Sequence, residues 1–340
     1  MRFSRFIQVQ NIGSEGFKKI SNARIGIFGM GGLGSWSSLL LAQLNVGFLR
    51  IVDRDVVELS NLPRTPIYNL ESIDLPKVEE AKKFLSRLND GIEIEAIATN
   101  IDEFTIKSLI KDLDIIIDGL DTFSTRYIVN KACYGSKIPF IFAGAISISS
   151  NLSTISYKEN TACLNCFFGG IDDEDMPTCE IAGVHTSILS ITASIQVAEA
   201  IKLIITGESS LESKIAYFDL NTYDFDIIDI KKNELCKVCG NTVISDENLE
   251  PKIRIIELCG NESYSLAPIP RKAIDISEIM NKLKNNTEAK IKKSGELGLT
   301  FKLRNVEISI FRGGNILLRN VKTKSDAEMF FKSHLSDYFK

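Results

Sequence analysis

The sequence has no excess of basic residues, only two histidines and no apolar segment at its start. Its 340 residues contain 40 Lys or Arg and 44 Asp or Glu, a net charge of -4. We therefore expect no nucleic-acid partner, because phosphate-backbone binding needs a basic surplus. The first residues, Met-Arg-Phe-Ser-Arg-Phe, lack the apolar core of a signal peptide. His185 is isolated in the sequence, and a lone histidine is more often structural than functional.

An uninterrupted membrane-spanning segment is also lacking. The longest apolar stretch, residues 188–205, contains Gln196, Glu199 and Lys202. Polar side chains at near-helical spacing favour a helix buried in a core or a dimer interface, so no membrane association is expected. We expect a cytoplasmic protein. In that compartment cysteines more often bind metal or catalyse than form disulfides.

A glycine-rich turn after a short apolar strand is the most informative feature that is present. The turn has the pattern G-x-G-x-x-G and contains four glycines: Gly29, Gly31, Gly32 and Gly34. A predicted helix over about 35–45 and a strand over 48–53 that ends at Asp53 complete a βαβ unit. Such a unit holds nucleotide phosphates at the helix N-terminus and the ribose at the carboxylate. The turn by itself is most typical of NAD or FAD binding.

Strands and helices alternate along the first part of the chain. The predicted strands are 24–29, 48–53, 92–98, 114–118 and 139–143, and the further helices are 76–89, 102–111 and 124–136. Asp74 is a candidate cap for the helix that begins at Pro76. Strands at 151–157 and 214–230 and a long helix at 186–206 follow. This pattern predicts an α/β fold with a doubly wound, mostly parallel, Rossmann-like sheet and an antiparallel extension.

The end of the chain is predicted to form a small C-terminal α+β domain. The predicted division is a first domain at 1–240, a polar linker at 241–251 and the second domain at 252–340. Its strands are expected at 252–258, 299–303, 306–311 and 315–319, and its helices at 274–284 and 325–338. Gly313-Gly314 indicates a tight hairpin, and Ser325 begins a capping-box pattern.

Four polar residues that follow Asp53 change the expected ligand: Asn61, Arg64, Lys77 and Asp121. They would meet at the carboxyl edge of the sheet, where Asp121 offers an oxygen ligand for Mg²⁺. Nucleotidyl transfer needs such charges, because the α-phosphate and the leaving pyrophosphate must be neutralised. An NAD-dependent oxidoreductase remains an alternative, but it leaves Arg64 and Lys77 unexplained. A scaffold protein with an inactive site is a third class, against which the intact charged set argues.

Two C-x-x-C knuckles predict a structural zinc site. Their cysteines are Cys163, Cys166, Cys236 and Cys239. Four thiolates in two such pairs make a closed tetrahedral Zn²⁺ site. A redox pair or free buried cysteines are the alternatives.

The motifs together resemble the adenylating domain of the MoeB/ThiF (HesA) family, which is similar to ubiquitin-activating enzymes. The resemblance covers residues 1–240 and rests on these segments: Arg2-x-x-Arg5, Gly29–Gly34, Asp53-Arg-Asp, Ser60-Asn-Leu-x-Arg64, Pro76-Lys77 and Asp121. It implies an adenylyltransferase that uses ATP and Mg²⁺ to activate the C-terminal Gly-Gly of a small ubiquitin-like or sulfur-carrier protein. It also implies the paired zinc knuckles.

The resemblance assigns roles to single residues. Asp53 would bind the ribose; Asn61, Arg64 and Lys77 the phosphates; and Asp121 the Mg²⁺. Arg5 would reach the ATP site of a partner subunit in a homodimer.

Cys179 matches the family's mobile cysteine loop, which implies a thioester or persulfide at this residue. Five acidic residues surround it in sequence: Asp172, Asp173, Glu174, Asp175 and Glu180. Because nearby carboxylates disfavour a thiolate, an inert loop cysteine is the alternative. The domain at 252–340 is expected to dock the carrier or to support the dimer.

Overall fold

The computed structural model describes residues 2–173, 182–240, 253–258, 262–268, 273–284 and 286–339. These residues form two β-sheets, one of eight strands and one of six. The strands of the first sheet are β1 Arg24–Phe28, β2 Phe48–Asp53, β3 Glu93–Ala98, β4 Ile115–Asp118, β5 Phe140–Ile146, β6 Ser149–Ile155, β7 Lys214–Asp219 and β8 Phe225–Asp229. Its helices are α1 Ser4–Ile7, α2 Gly13–Asn22, α3 Gly32–Gln43, α4 Lys77–Leu88, α5 Ile106–Leu109, α6 Phe123–Ser136, α7 Leu164–Phe168 and α8 Thr186–Thr206.

The first sheet is doubly wound and mostly parallel, as the sequence predicts. Its strand order is β3-β2-β1-β4-β5-β6-β7-β8. The first five strands pair in parallel, and β6, β7 and β8 continue the sheet in antiparallel pairs. Every residue of β2 and β4 is buried, which explains why these strands are nearly continuous apolar runs. The strand order reverses between β1 and β4, the position where such sheets bind ligands.

The glycine-rich turn is tighter than the sequence predicts, because α3 begins at Gly32 rather than near residue 35. Gly29 has a φ of +91°, and a Cβ there would lie 2.2 Å from the carbonyl oxygen of Gly119. A Cβ at Gly34 would lie 1.8 Å from the carbonyl oxygen of Gly29. Glycine is therefore required at both positions, and the N-terminus of α3 lies directly against the end of β1.

The longest helix, α8, is buried against α3, β5 and β6. Among the described residues it is the one helix that is long and apolar enough to cross a membrane by length and composition. However, 56% of its apolar window is buried, and the buried residues include the polar Thr192, Gln196 and Glu199. This pattern is typical of a core helix, as the polar interruptions in the sequence predict.

The second sheet is antiparallel and has the strand order β11-β12-β13-β14-β10-β9. Its strands are β9 Ile253–Glu257, β10 Tyr264–Pro268, β11 Ala289–Ser294, β12 Gly298–Leu303, β13 Val306–Phe311 and β14 Ile316–Arg319, and its helices are α9 Ile276–Lys284 and α10 Lys324–Phe330. The predicted hairpin joins β13 to β14, where Gly314 has a φ of +86°. The predicted final helix stops early, because Phe331–Leu335 and Ser336–Phe339 form a π-helical and a 3-10 turn.

Two of these strands, β10 and β11, are missing from the sequence prediction. The edge strand β11 reads Ala-Lys-Ile-Lys-Lys-Ser and leaves most of its side chains exposed, so it lacks a clear apolar alternation. The shorter β10 ends in Pro268, which argues against a strand when the sequence is considered alone.

Two predicted helix caps are wrong. The first turn of α10 is capped by Thr323, whose hydroxyl accepts a hydrogen bond from a backbone N–H, rather than by Ser325. Asp74 does not cap α4, because Pro76 occupies the N-cap position. Asp74 has a φ of +67°, and its carboxylate instead lies 3.0 Å from the Arg319 guanidinium.

The second sheet packs directly against the first part of the chain. Phe311 and Leu317 belong to the same buried apolar cluster as Ile94 of β3. The Thr300 hydroxyl donates a hydrogen bond to the carbonyl oxygen of Asp74 at 2.8 Å. The two sheets are therefore joined by apolar and polar contacts next to the segment that connects β2 to α4.

The predicted linker at 241–251 lies outside the described residues. The second sheet has its own apolar cluster, formed by its strands and by α9 and α10, in addition to the cluster it shares with the first sheet. The division into domains at 1–240 and 252–340 stays a prediction.

Substitution of Gly34 tests the tight turn. In Gly34→Ala the new methyl group would lie 1.8 Å from a backbone oxygen, so the turn must open. We expect the free energy of unfolding to fall by about 2–4 kcal/mol, measured by urea denaturation. Gly135→Ala is the matched control, because a Cβ there meets no atom within 4 Å in α6. It should raise stability by about 0.5–1 kcal/mol. Equal effects of the two substitutions would contradict this account.

Candidate active site

A cavity of about 360 Å³ lies at the carboxyl ends of the parallel strands, where the strand order reverses between β1 and β4. Eight residues that the sequence predicts for nucleotide binding line it: Gly29, Gly31, Gly32, Asp53, Asn61, Arg64, Lys77 and Asp121. Gly34 is the exception, because it packs beneath the turn against Gly29. The glycine-rich turn and the predicted charged set therefore share one site.

The glycine-rich turn presents open backbone to this cavity. A Cβ at Gly31 would meet no protein atom within 4 Å, so a ligand can approach the backbone there. The N-terminus of α3 follows at once, and its free N–H groups favour an anion. Asp53, at the end of β2, is buried, and its carboxylate accepts hydrogen bonds from the N–H groups of Met30 at 2.6 Å and Asp55 at 2.8 Å. These bonds tie the carboxylate to the turn.

Lys77 is a fixed positive charge on the cavity wall. Its Nζ lies 3.1 Å from Asp55 Oδ2. Burial lowers the pKa of Lys77, but the carboxylates of Asp55 and Asp53 outweigh burial and raise it overall. Burial raises the pKa of Asp55, but Lys77 and Arg54 outweigh it and the pKa is lowered. For Asp53 burial dominates over the attraction of Lys77, so its pKa is raised. Lys77 and Asp55 thus form an ionised pair.

Asn61 and Arg64 are carried by one 3-10 turn, Leu59–Arg64. Asn61 is buried, and its side-chain oxygen accepts a hydrogen bond from the N–H of Glu58 at 3.1 Å. The Arg64 guanidinium donates to the carbonyl oxygen of Ser60 and remains half-buried at the cavity. The turn therefore presents an amide and a guanidinium together to the space beside Lys77.

Asp121 is exposed in the loop between β4 and α6, and a buried ion pair beneath it supports that loop. Asp118 Oδ2 lies 2.8 Å from Nε of Arg126, with side chains that are 0% and 7% exposed. Arg126 also donates to the carbonyl oxygens of Leu120 at 2.6 Å and Ala143 at 3.0 Å. Burial raises the pKa of Asp118 despite the opposing effect of Arg126. The pair fixes the backbone next to Asp121.

The sequence analysis does not predict the Asp118–Arg126 ion pair, although the sequence contains a pattern that indicates it. Asp118 ends a buried strand, and Arg126 lies in the first turn of the helix that follows. A charged residue at the end of an apolar run needs a partner, because an unpaired buried charge is costly.

The second sheet supplies part of the cavity wall, which the sequence does not predict. Leu258, Ser263, Leu317 and Arg319 line the cavity together with the residues above. Arg319 contacts Asp74, which is 245 positions away in sequence. No local pattern could indicate such a contact.

The four knuckle cysteines converge as the sequence predicts. Their Sγ atoms all lie within 4.8 Å of one another, and the Cys163–Cys236 and Cys166–Cys239 pairs are 3.6 and 3.3 Å apart. A tetrahedral ZnS₄ site with Zn–S bonds of about 2.3 Å has S–S edges of about 3.8 Å. The N–H of Asn233 donates to Cys166 Sγ at 3.4 Å. A hydrogen bond from Cys163 lowers the pKa of Cys166. The cluster therefore fits a four-thiolate metal ion.

Two predicted catalytic residues, Arg5 and Cys179, are not among the described residues that line the cavity. Arg5 is exposed in α1 and is absent from the cavity lining. Cys179 lies outside the described residues. The roles predicted for both stay predictions.

The fold and the site together define a class of protein. A doubly wound sheet with a glycine-rich turn and clustered Arg, Lys and Asp side chains at its switch point is an α/β nucleotide-binding protein.

The chain belongs to the ThiF family, which matches residues 3–238. It is 32% identical to the molybdopterin-synthase adenylyltransferase of Salmonella typhimurium over 240 residues, 71% of this chain and 96% of that protein. It is 30% identical to the sulfur carrier protein ThiS adenylyltransferase of Bacillus subtilis over 287 residues, 83% of this chain and 84% of that protein. Among solved structures it is similar to Escherichia coli MccB with ATP, with 25% identity, a TM-score of 0.62, and coverage of 71% of this chain and 75% of that one.

These comparisons confirm three predictions from the sequence: the fold class, the MoeB/ThiF family and an adenylyltransferase of that family. The relatives give no support to the alternative of an NAD-dependent oxidoreductase.

Removal of one partner from the buried ion pair should be costly. Arg126→Gln leaves the Asp118 carboxylate buried without its charge partner, and we expect the free energy of unfolding to fall by about 3–5 kcal/mol. Arg304→Gln is the control, because Arg304 and Glu288 form an ion pair with side chains 62% and 60% exposed. Its loss should cost at most about 1 kcal/mol. Chemical denaturation of both variants measures the difference, and similar losses would contradict the structural role of Arg126.

Proposed function

We propose that the chain uses ATP to adenylate the C-terminal glycine of a small ubiquitin-like or sulfur-carrier protein that ends in Gly-Gly. The observation that carries the proposal is the single cavity shared by the glycine-rich turn, Asp53, Arg64, Lys77 and Asp121. The named substrates of the two adenylyltransferases and the ATP in the MccB structure support it.

Each part of the cavity suits one part of ATP. The N–H groups at the start of α3 and the open backbone at Gly31 suit the phosphates. Asp53 suits the ribose hydroxyls, because its carboxylate is held at the end of β2. Arg64, Asn61 and Lys77 supply donors and positive charge for the phosphate oxygens.

The reaction is a displacement at the α-phosphorus. A carboxylate oxygen of the terminal glycine forms a bond to phosphorus, the bond from phosphorus to the bridging oxygen breaks, and pyrophosphate leaves with the electron pair. The acyl-adenylate remains on the enzyme. Lys77 and Arg64 stabilise the charge that develops on the phosphates, and binding holds the two reactants in line.

Asp121 would hold the Mg²⁺ that accompanies ATP. Its carboxylate is exposed at the cavity, where a hard oxygen ligand and water can share the coordination shell. A bound Mg²⁺ would add charge neutralisation at the phosphates.

The acyl-adenylate then has two possible fates in this proposal. In the first, the Cys179 thiolate attacks the acyl carbon, a thioester forms and AMP leaves. In the second, the terminal sulfur of a persulfide on a sulfur donor attacks the same carbon, an acyl disulfide to the donor forms and AMP leaves. Arg5 completes the ATP site of the partner subunit in a homodimer, and the enzyme acts in the cytoplasm. The exposure of Arg5 on α1 leaves it free to contact a second chain.

Zinc in the four-cysteine cluster has a structural role in this proposal. The cluster joins α7 to the segment after β8, and three of its four cysteines are buried. A closed four-thiolate site has no open position for substrate.

Carrier-dependent ATP–pyrophosphate exchange tests the activity. With a purified carrier ending in Gly-Gly, Asp121→Ala and Arg64→Ala should each reduce exchange at least about a hundredfold, because each removes phosphate or metal binding. Cys179→Ala should retain exchange, since the thiol acts after adenylation. Arg87→Ala, which removes an exposed charge from α4 outside the cavity, is the control. Exchange that survives both Asp121→Ala and Arg64→Ala would reject the assignment.

Metal analysis tests the zinc site. Protein purified without chelator should contain one zinc per chain, and Cys236→Ser should lose it because a tetrahedral site needs all four thiolates. Cys133→Ser is the matched control, since Cys133 is buried but is not one of the four clustered cysteines. Absence of zinc from the unaltered protein, or its retention in Cys236→Ser, would refute the site.

A further inference from the structure

Among the described residues, Arg319 is the arginine that the second sheet contributes to the lining of the cavity. It is the last residue of β14, and its side chain is 12% exposed. Its position matters because the family match ends at residue 238, before the second sheet begins at Ile253.

Three carboxylates surround the Arg319 guanidinium. Nη2 lies 3.0 Å from Asp74 Oδ1 and 3.4 Å from Glu307 Oε2, and Nη1 lies 3.5 Å from Glu58 Oε1. Glu307 belongs to the second sheet, but Glu58 and Asp74 belong to the segment between β2 and α4. Arg319 thus joins the second sheet to that segment by charge.

The two contacts on this segment lie on either side of Asn61 and Arg64, two of the three predicted phosphate-binding residues. Glu58 immediately precedes the turn that carries Asn61 and Arg64, and its N–H donates to the Asn61 side chain. Asp74 lies three residues before Lys77, in the stretch that leads into α4. A guanidinium that holds both ends restricts the whole segment.

The charge of Glu58 makes the contact important for an anionic ligand. Glu58 lines the cavity together with Arg64 and Lys77, and its carboxylate contributes to raising the pKa of Lys77. Without Arg319 it would be a carboxylate facing the position expected for a triphosphate, and like charges at short range repel. The positive field of Arg319 also reaches Asp55. Burial raises the pKa of Asp55, but Lys77, Arg54 and Arg319 together outweigh it.

We propose that Arg319 is a positioning residue for ATP: it neutralises Glu58 and holds the segment that carries Asn61, Arg64 and Lys77. The second sheet is therefore part of the nucleotide site. This inference rests on the proposed function, because it assigns ATP as the ligand of the cavity.

Binding of Mg²⁺-ATP to the purified full-length protein, measured by titration calorimetry, tests the inference without a carrier. Arg319→Gln should raise the dissociation constant about tenfold or more, because it leaves Glu58 uncompensated beside the phosphates. The double variant Glu58→Gln/Arg319→Gln also lacks the Glu58 carboxylate that repels the phosphates, so it should recover most of the affinity for ATP. If Arg319 affected only the stability of the fold, removal of the Glu58 charge in the double variant would not restore ATP affinity.

Two further variants separate charge from folding. Arg304→Gln has the same substitution on the second sheet, in an exposed ion pair, and should leave ATP affinity unchanged. Glu58→Gln alone should bind ATP at least twofold more tightly, and it remains informative if Arg319→Gln does not fold. Arg319→Gln with unchanged affinity, a double variant no better than Arg319→Gln, or Glu58→Gln with unchanged affinity would overturn the inference. Failure of the unaltered protein to bind ATP would instead reject the proposed function.

Discussion

Direct contact between three glycines holds the site together. The Gly29 carbonyl oxygen lies so close to Gly34 and Gly119 that a Cβ at either position would be 1.8 or 2.4 Å from it. The ends of β1 and β4 and the first turn of α3 therefore meet without intervening side chains. As a result, the free N–H groups of α3 face the same cavity as Asp53 at the end of β2 and Asp121 after β4.

Buried polar contacts extend this arrangement outward. The Asp118–Arg126 pair is tied to neighbouring strands, because Gln196 of α8 donates to the carbonyl oxygens of Asp118 at 2.9 Å and Ile141 at 2.8 Å. Ser37 of α3 in turn donates to Gln196 at 3.0 Å. A buried ion pair is weak evidence for stability, but its directional bonds restrict geometry. The exposed Asp121 thus follows a backbone that the core holds in place.

The sequence predicts those parts of the fold and site that depend on local pattern. The parallel strands are apolar runs, and Asp53 and Asp121 follow strand ends, so their common edge can be inferred. The sequence does not predict β11, because its lysines interrupt the apolar alternation by which a strand is recognised. It also does not predict the contact between Arg319 and Asp74, because these residues are far apart in sequence. Periodicity reports which residues are buried but not which distant surfaces meet. The second sheet is therefore predicted as a separate unit, although it lines the cavity.

The mixture of charges in the cavity explains why the second sheet matters there. In the proposed ATP site, Asp53 and Asp121 are carboxylates for the ribose and the metal, yet a triphosphate requires net positive charge nearby. The first part of the chain supplies Arg64 and Lys77 to the cavity wall. Lys77, whose pKa is raised by Asp55 and Asp53 despite burial, is already paired with Asp55. Glu58, which also lines the cavity, adds a further negative charge and so reduces the net positive charge near the phosphates. Since Arg319 compensates Glu58 from outside the doubly wound sheet, the charge balance of the site depends on both sheets.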